Sequence, residues 1–169
     1  MRNIYLVGFM GTGKTAIGKI LAKSLGKDFV EMDEVIEQKE GRPIVDIFKD
    51  PGESHFRKLE KKLLVELSQK TDLVVSCGGG LICDDQNLKI LKESGTVFNL
   101  KSSPQKIYER TKKYAHRPLL NVTDPVKQIE ELLKKREPYY SQAHYTIESE
   151  EQSPQEVAQD IIKILGNNG

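Results

Sequence analysis

Ile4-Tyr5-Leu6-Val7-Gly8-Phe9-Met10-Gly11-Thr12-Gly13-Lys14-Thr15 joins a short apolar run to a glycine-rich loop, and the loop to a segment of helical period. Its last eight residues match the pattern G-x-x-x-x-G-K-[ST]. They also sit where the mechanics of a phosphate-binding loop require, after a strand and before a helix. A phosphate group needs several backbone N–H groups converging on it, and glycines at 8, 11 and 13 let the chain approach without a side chain in the way. The following helix adds the attraction of its dipole. Lys14 supplies a cation for β- and γ-phosphates, and the Thr15 hydroxyl can ligate Mg2+. Gly11, Thr12, Gly13, Lys14, Thr15 and Ala16 are therefore the candidate nucleotide contacts. An ordinary glycine-rich turn would not need the strand, the helix and the lysine all in place.

Outward from this stretch, short β-branched runs alternate with longer helical segments, the pattern of an α/β fold with helices on both faces of a parallel sheet. Strands are expected at Ile4 to Val7, Phe29 to Met32, Leu73 to Cys77, Val97 to Leu100 and Tyr145 to Ile147. Helices are expected from Lys14 to Leu25, Glu53 to Gln69, Asp85 to Glu93, Pro104 to Lys113, Pro125 to Gln142 and Pro154 to Leu165. In the second of these, Phe56, Leu59, Leu63 and Leu67 form one apolar face. A chain of 169 residues is the usual size of one domain, and a single domain over 1–169 is expected. Its 26 basic and 25 acidic side chains leave a net charge of +1, so no global field draws it to nucleic acid or to an anionic membrane. No apolar run approaches the roughly 18 residues that would span a bilayer. Two cysteines, Cys77 and Cys83, match neither a disulfide framework nor a zinc spacing, and no secretory segment is expected ahead of Asn3; a cytoplasmic location follows.

A nucleotide loop serves kinases, switch GTPases and ATPases alike, so the rest of the chain decides. No Asn-Lys-x-Asp segment reads guanine, and a GTPase-type switch protein is the alternative from another class. Glu31-Met32-Asp33 is read as the end of the second strand, where alternation points both carboxylates towards the ligand-binding edge of the sheet. Its bland reading is a helix N-cap at Asp33. Arg57 stands three residues before Glu60 and has the bland reading of a surface ion pair. Gly78-Gly79-Gly80 exceeds what a turn requires. Arg117 and Arg136, taken singly, read as solvated charge. The stretch Tyr114 to Asp124 carries Pro118 and no periodicity, and is read as a mobile connection of the kind that forms active-site lids.

Together, the order and spacing of these clusters resemble the shikimate kinase family. The resemblance runs from GFMGTGKT through Glu31-Met32-Asp33, Gly52-Glu53-Ser54-His55-Phe56-Arg57-Lys58-Leu59-Glu60, Gly78 to Gly80 and Arg117-Pro118-Leu119-Leu120 to Arg136-Glu137-Pro138-Tyr139. It implies a three-layer α/β/α sandwich of the P-loop type, a five-stranded parallel sheet of order 2-3-1-4-5, and Mg2+-dependent transfer from ATP to the 3-hydroxyl of shikimate. By the same resemblance Lys14, Asp33 and Arg117 are catalytic, and Asp33, Arg57, Gly78, Gly79, Gly80 and Arg136 hold shikimate. Arg110, Arg117 and Pro154 join the ATP contacts, Thr15 ligates the metal directly, and Glu31 reaches it through water. The shikimate-binding region is expected at about 32–60, the lid at about 112–124, and the molecule as a monomer. Glu31 departs from the family's usual aspartate, which affects the metal shell rather than the reaction. A gluconate kinase is the alternative within the same fold. If the 114–124 segment is a lid, its amides should exchange quickly in the free protein and slowly with both ligands bound. Strong protection without ligands would rule this out.

Overall fold

The computed structural model describes residues 2–113 and 122–167. Five strands, β1 (Asn3–Val7), β2 (Asp28–Glu31), β3 (Leu73–Ser76), β4 (Gly95–Lys101) and β5 (Tyr145–Glu148), form one sheet of order β2-β3-β1-β4-β5. Every pairing is parallel, with Tyr5 of β1 opposite Val75 on one side and Val97 on the other. All five residues of the central β1 are buried, as a strand covered on both faces must be.

The two faces of β1 sort by parity. Ile4 and Leu6 pack with Ile17 and Leu21 of α1 (Lys14–Leu25) and with Val157 and Ile161 of α8 (Pro154–Asn167). Tyr5 and Val7 pack with Met32 and Ile36 of α2 (Met32–Glu40) and with Phe56, Leu63 and Leu67 of α4 (Glu53–Ser68). Leu88 and Leu91 of α5 (Asp85–Ser94) complete that side. Each such side chain taken from water contributes about 1.5 to 3 kcal/mol, which makes this alternation the main determinant of register.

Three of the expected helix starts hold for one local reason, a proline at the first helical position after a polar cap. In α6 (Pro104–Thr111) Lys106 N donates to Ser103 Oγ at 3.2 Å, and in α7 (Pro125–Tyr140) Lys127 N donates to Asp124 Oδ1 at 3.2 Å. At α8 a reciprocal pair forms, Glu156 N to Ser153 Oγ at 3.2 Å and Ser153 N to Glu156 Oε2 at 2.7 Å.

The expected strand end at Glu31-Met32-Asp33 is corrected. β2 stops at Glu31, and Met32 already begins α2, with Asp33 and Glu34 in the first turn, where the helix dipole favours them, and Gly41 closing it at φ 69°. Strand alternation therefore does not aim Asp33, and the cap position is Glu31. A short α3 (Ile44–Ile47) and a wide turn, Phe48–Gly52, were also not expected. The lid stretch 114–121, Arg117 included, lies outside the described residues.

β4 begins at Gly95, two residues before its first expected position, because it runs directly beside Asn3. A Cβ at Gly95 would overlap the Asn3 carbonyl oxygen and stand 2.6 Å from Tyr5 Cε2. Gly95→Ala should therefore lose about 1 to 3 kcal/mol of stability through overpacking, despite alanine's lower backbone entropy. Urea unfolding checks this, and a variant as stable as the wild type overturns it.

Candidate active site

A parallel sheet places the carboxyl ends of its strands along one edge, and here that edge carries Gly8 after β1, Glu31 at the end of β2 and Gly78 shortly after β3. The loop after β1 holds left-handed backbone at Gly11 (φ 78°) and Gly13 (φ 95°), which residues with a side chain rarely adopt. Thr12 is buried and its hydroxyl donates to Phe9 O at 2.7 Å, bracing the turn. Lys14 Nζ donates to the carbonyls of Gly8 (2.8 Å) and Phe9 (3.0 Å), so the cation lies over the loop. Thr15 and Ala16 are exposed at the start of α1, and Thr15 Oγ1 donates to Glu31 Oε2 at 2.6 Å.

Arg110, on α6, braces the loop from behind. Its guanidinium donates to Gly11 O at 3.1 Å, Ser149 O at 3.2 Å and Glu150 O at 3.4 Å, and Ser149 Oγ adds a bond to Thr12 O at 2.9 Å. The loop is thereby tied to the connection between β5 and α8, just ahead of Pro154, the first residue of α8. These bonds are made by the N–H groups along the edges of the guanidinium.

Beyond β3 the three glycines make room for charge. A Cβ on Gly78 would stand 2.6 Å from Glu60 Oε2 and 3.2 Å from Asp33 Oδ1. On Gly79 it would stand 3.1 Å from Arg136 Nη1, and on Gly80 2.6 Å from Arg57 Nη2. Asp33 from α2, Arg57 and Glu60 from α4 and Arg136 from α7 thus converge on one turn. Arg136 also lies over the Phe9 ring, 5.2 Å from its centre, and Tyr140 Oη donates to Gly79 O at 2.6 Å. Arg57, Arg136 and Gly80 line a cavity of about 620 Å³, with Glu53, Lys58 and Lys135 at its margin.

The bland readings of Arg57 and Arg136 are corrected by this geometry. Arg57 pairs with Glu53 at 3.3 Å and with Glu60, and Glu60 is 1% exposed, inside the apolar face of α4 beside Phe56, Leu63, Leu64 and Leu67. That is no surface pair. The sequence reading had Glu60 as Arg57's neighbour and as the last residue of a family motif but gave it no role, and it missed Phe9 and Tyr140 as supports of the site. A carboxylate on the face that carries Phe56, Leu63 and Leu67 was the available signal for Glu60. Cys77 is buried and inert, its thiol driven well above the ordinary range by burial.

Burial pushes the Glu60 carboxyl up to about 7, against the pull of Arg57 and with some help from Asp33. A carboxyl raised above its unfolded value of 4.5 binds more protons when folded. Its contribution to stability is therefore complete below pH 4.5 and lost as pH climbs to about 7, a change of up to about 3 kcal/mol by linkage. Unfolding free energies at pH 5 and pH 8 should fall less steeply in Glu60→Gln than in the wild type; parallel profiles would show that Glu60 is not the titrating group.

The shikimate kinase family model matches residues 10–166. Two proteins named shikimate kinase are similar across nearly the whole chain. That of Thermodesulfovibrio yellowstonii is 48% identical over 163 residues, covering 96% of this chain and 94% of its own. That of Persephonella marina is 46% identical over 162 residues, covering 96% and 98%. Among solved structures, the shikimate kinase of Acinetobacter baumannii in complex with shikimate aligns with a TM-score of 0.95 and 41% identity over 99% of this chain and 94% of that one.

Proposed function

This chain belongs to the shikimate kinase family, and from that premise we propose how its residues divide the work of the reaction. The reaction itself is ATP-dependent transfer of the γ-phosphoryl group to the 3-hydroxyl of shikimate, giving shikimate 3-phosphate and ADP, a step towards the aromatic amino acids. One observation supports the division of roles above the others. Two arginines from different helices, a carboxylate from a third and a turn without side chains meet beside the phosphate loop.

Phosphoryl transfer asks the protein for alignment and for stabilisation of charge rather than for covalent chemistry. The amides of Gly11 to Ala16 hold the phosphates, and Lys14 trades its two carbonyl partners for phosphate oxygens. Arg117, proposed on its sequence position alone, completes the cationic side. The guanidinium face of Arg110 and the ring of Pro154 flank the adenine. Arg57 and Arg136 bind the carboxylate of shikimate, each able to donate parallel N–H bonds, and Gly78 to Gly80 let the acceptor ring approach the backbone. Asp33 aligns the 3-hydroxyl and accepts its proton as the new P–O bond forms.

The paired oxygens of Thr15 and Glu31 fit a Mg2+ ion of the hydrated kind that arrives with a nucleotide. Thr15 Oγ1 would keep a lone pair for the ion while its O–H donates to Glu31, and Glu31 would serve through water. Bound there, Mg2+ would neutralise β- and γ-phosphate charge. Among the described residues, no cluster of three or more His, Cys, Asp or Glu could hold a metal without the nucleotide. The proposal includes a monomer of one domain, an acceptor region at about 32–60 and a lid at about 112–124. It also places the molecule in the cytoplasm; among the described residues, no helix is long and apolar enough to cross a membrane.

A coupled assay of ADP release tests the assignment. Turnover should require Mg2+ and rise strongly with shikimate but not with gluconate. Arg57→Ala and Arg136→Ala should each raise KM for shikimate far more than KM for ATP, by about 2 to 5 kcal/mol in kcat/KM. Equal turnover with gluconate, or losses that fall on ATP alone, would displace the acceptor site from this turn.

A further inference from the structure

Glu60 is buried, bonded through one carboxylate oxygen to Arg57, and its other oxygen, Oε2, is enclosed with no hydrogen-bond partner among the described residues. That orphaned oxygen lies against Gly78, on the turn where the acceptor is proposed to bind. A buried carboxylate oxygen left unsatisfied is costly, and protonation is the direct way to relieve it when the surroundings become more negative.

The charges facing Glu60 can be counted. Arg57 and Glu53 lie on its own helix, Asp33 on α2 and Arg136 on α7, with the thiols of Cys77 and Cys83 near by. At the glycine turn Asp33 and Glu60 oppose Arg57 and Arg136, and Glu53, on the exposed side of Arg57, makes a third carboxylate. An acceptor carboxylate arriving between the arginines adds a fourth negative charge. It draws on the Arg57 guanidinium that now neutralises Glu60, in a setting where charges are poorly screened.

We propose that Glu60 is a proton-linked positioning residue: ionised, it holds Arg57 ready while the acceptor site is empty, and it takes up one proton as the carboxylate of shikimate binds. The proton comes from the buffer acid, whose bond to hydrogen breaks as an O–H bond forms at Glu60 Oε2, and the arginines are left to the substrate. The inference rests on the acceptor site proposed above. Because the free carboxyl titrates near neutrality, where burial has pushed it, the uptake falls in the physiological range.

Calorimetric titration of shikimate into the nucleotide-free enzyme at pH 7.4, in PIPES and in Tris, reads the step directly, since the two buffers release protons with different heats. The expected uptake is about 0.5 to 0.7 proton per site, since a carboxyl titrating at about 7 is about 0.3 protonated at pH 7.4 and a tenfold or greater gain in proton affinity takes it to about 0.8 or more. It should be near zero in Glu60→Gln. In the wild type alone it should fade below about pH 5.5, where Glu60 is already protonated, so the test stands even if the variant folds poorly. Equal heats in the two buffers, uptake that survives in Glu60→Gln, or uptake that persists undiminished at low pH would each overturn the proton step while leaving the acceptor site in place. The absence of any binding heat would instead remove the acceptor site, and the proton step with it.

Discussion

Three successive residues after β3 carry no β-carbon, and the space they leave is filled by the ends of four charged side chains. Charge is seldom brought this close to backbone. Here the turn offers its own polar groups, Tyr140 satisfies the Gly79 carbonyl, and the cations and anions balance within the cluster. A single methyl group at Gly78 or Gly80 would strike a carboxylate or a guanidinium, so the glycines are a requirement of the charge cluster rather than of chain flexibility. The position of Arg57, the burial of Glu60 and the cavity beside them all depend on that vacancy.

The nucleotide side is built on a different principle. Its proposed binding groups are backbone amides, which need geometry more than side chains, and the surroundings brace that geometry. Thr12 braces the loop from within, and Arg110 and Ser149 tie its carbonyls to the connection between β5 and α8. Phe9 links the two halves: it belongs to the phosphate loop, yet its ring underlies Arg136 of the acceptor side. A shift of the loop on binding nucleotide would be felt at the arginine proposed to read the acceptor.

A molecule of net charge +1 must recognise two anionic substrates without help from a long-range field. The groups proposed to do so are short-range and partly desolvated, where each hydrogen bond counts for more than it would in water. The pair of half-buried Arg57 and buried Glu60 is accordingly better understood as a device for positioning than as a source of stability, since the burial of its acid opposes the ionised state.

Wherever the relevant interactions are local, the amino-acid sequence was enough. The phosphate loop lies within eight consecutive residues, the prolines and polar caps mark helix starts over four, and the unbroken apolar run of β1 declares a strand covered on both faces. The order and spacing of the motifs carried the family, and with it the strand order. Local pattern failed at Glu31-Met32-Asp33, too short to tell the end of a strand from the first turn of a helix, though Met32 and Ile36 at helical spacing held the answer. The resemblance grouped Asp33, Arg57, Arg136 and the glycine turn, but only the tertiary structure decided that Arg136 rests on Phe9 and that Glu60 packs against the same turn with one oxygen enclosed. These residues lie on separate elements, and nothing in the spacing of any one element says which of its charges will face the same few ångströms of space; packing of α2, α4 and α7 against the carboxyl edge of the sheet settles it.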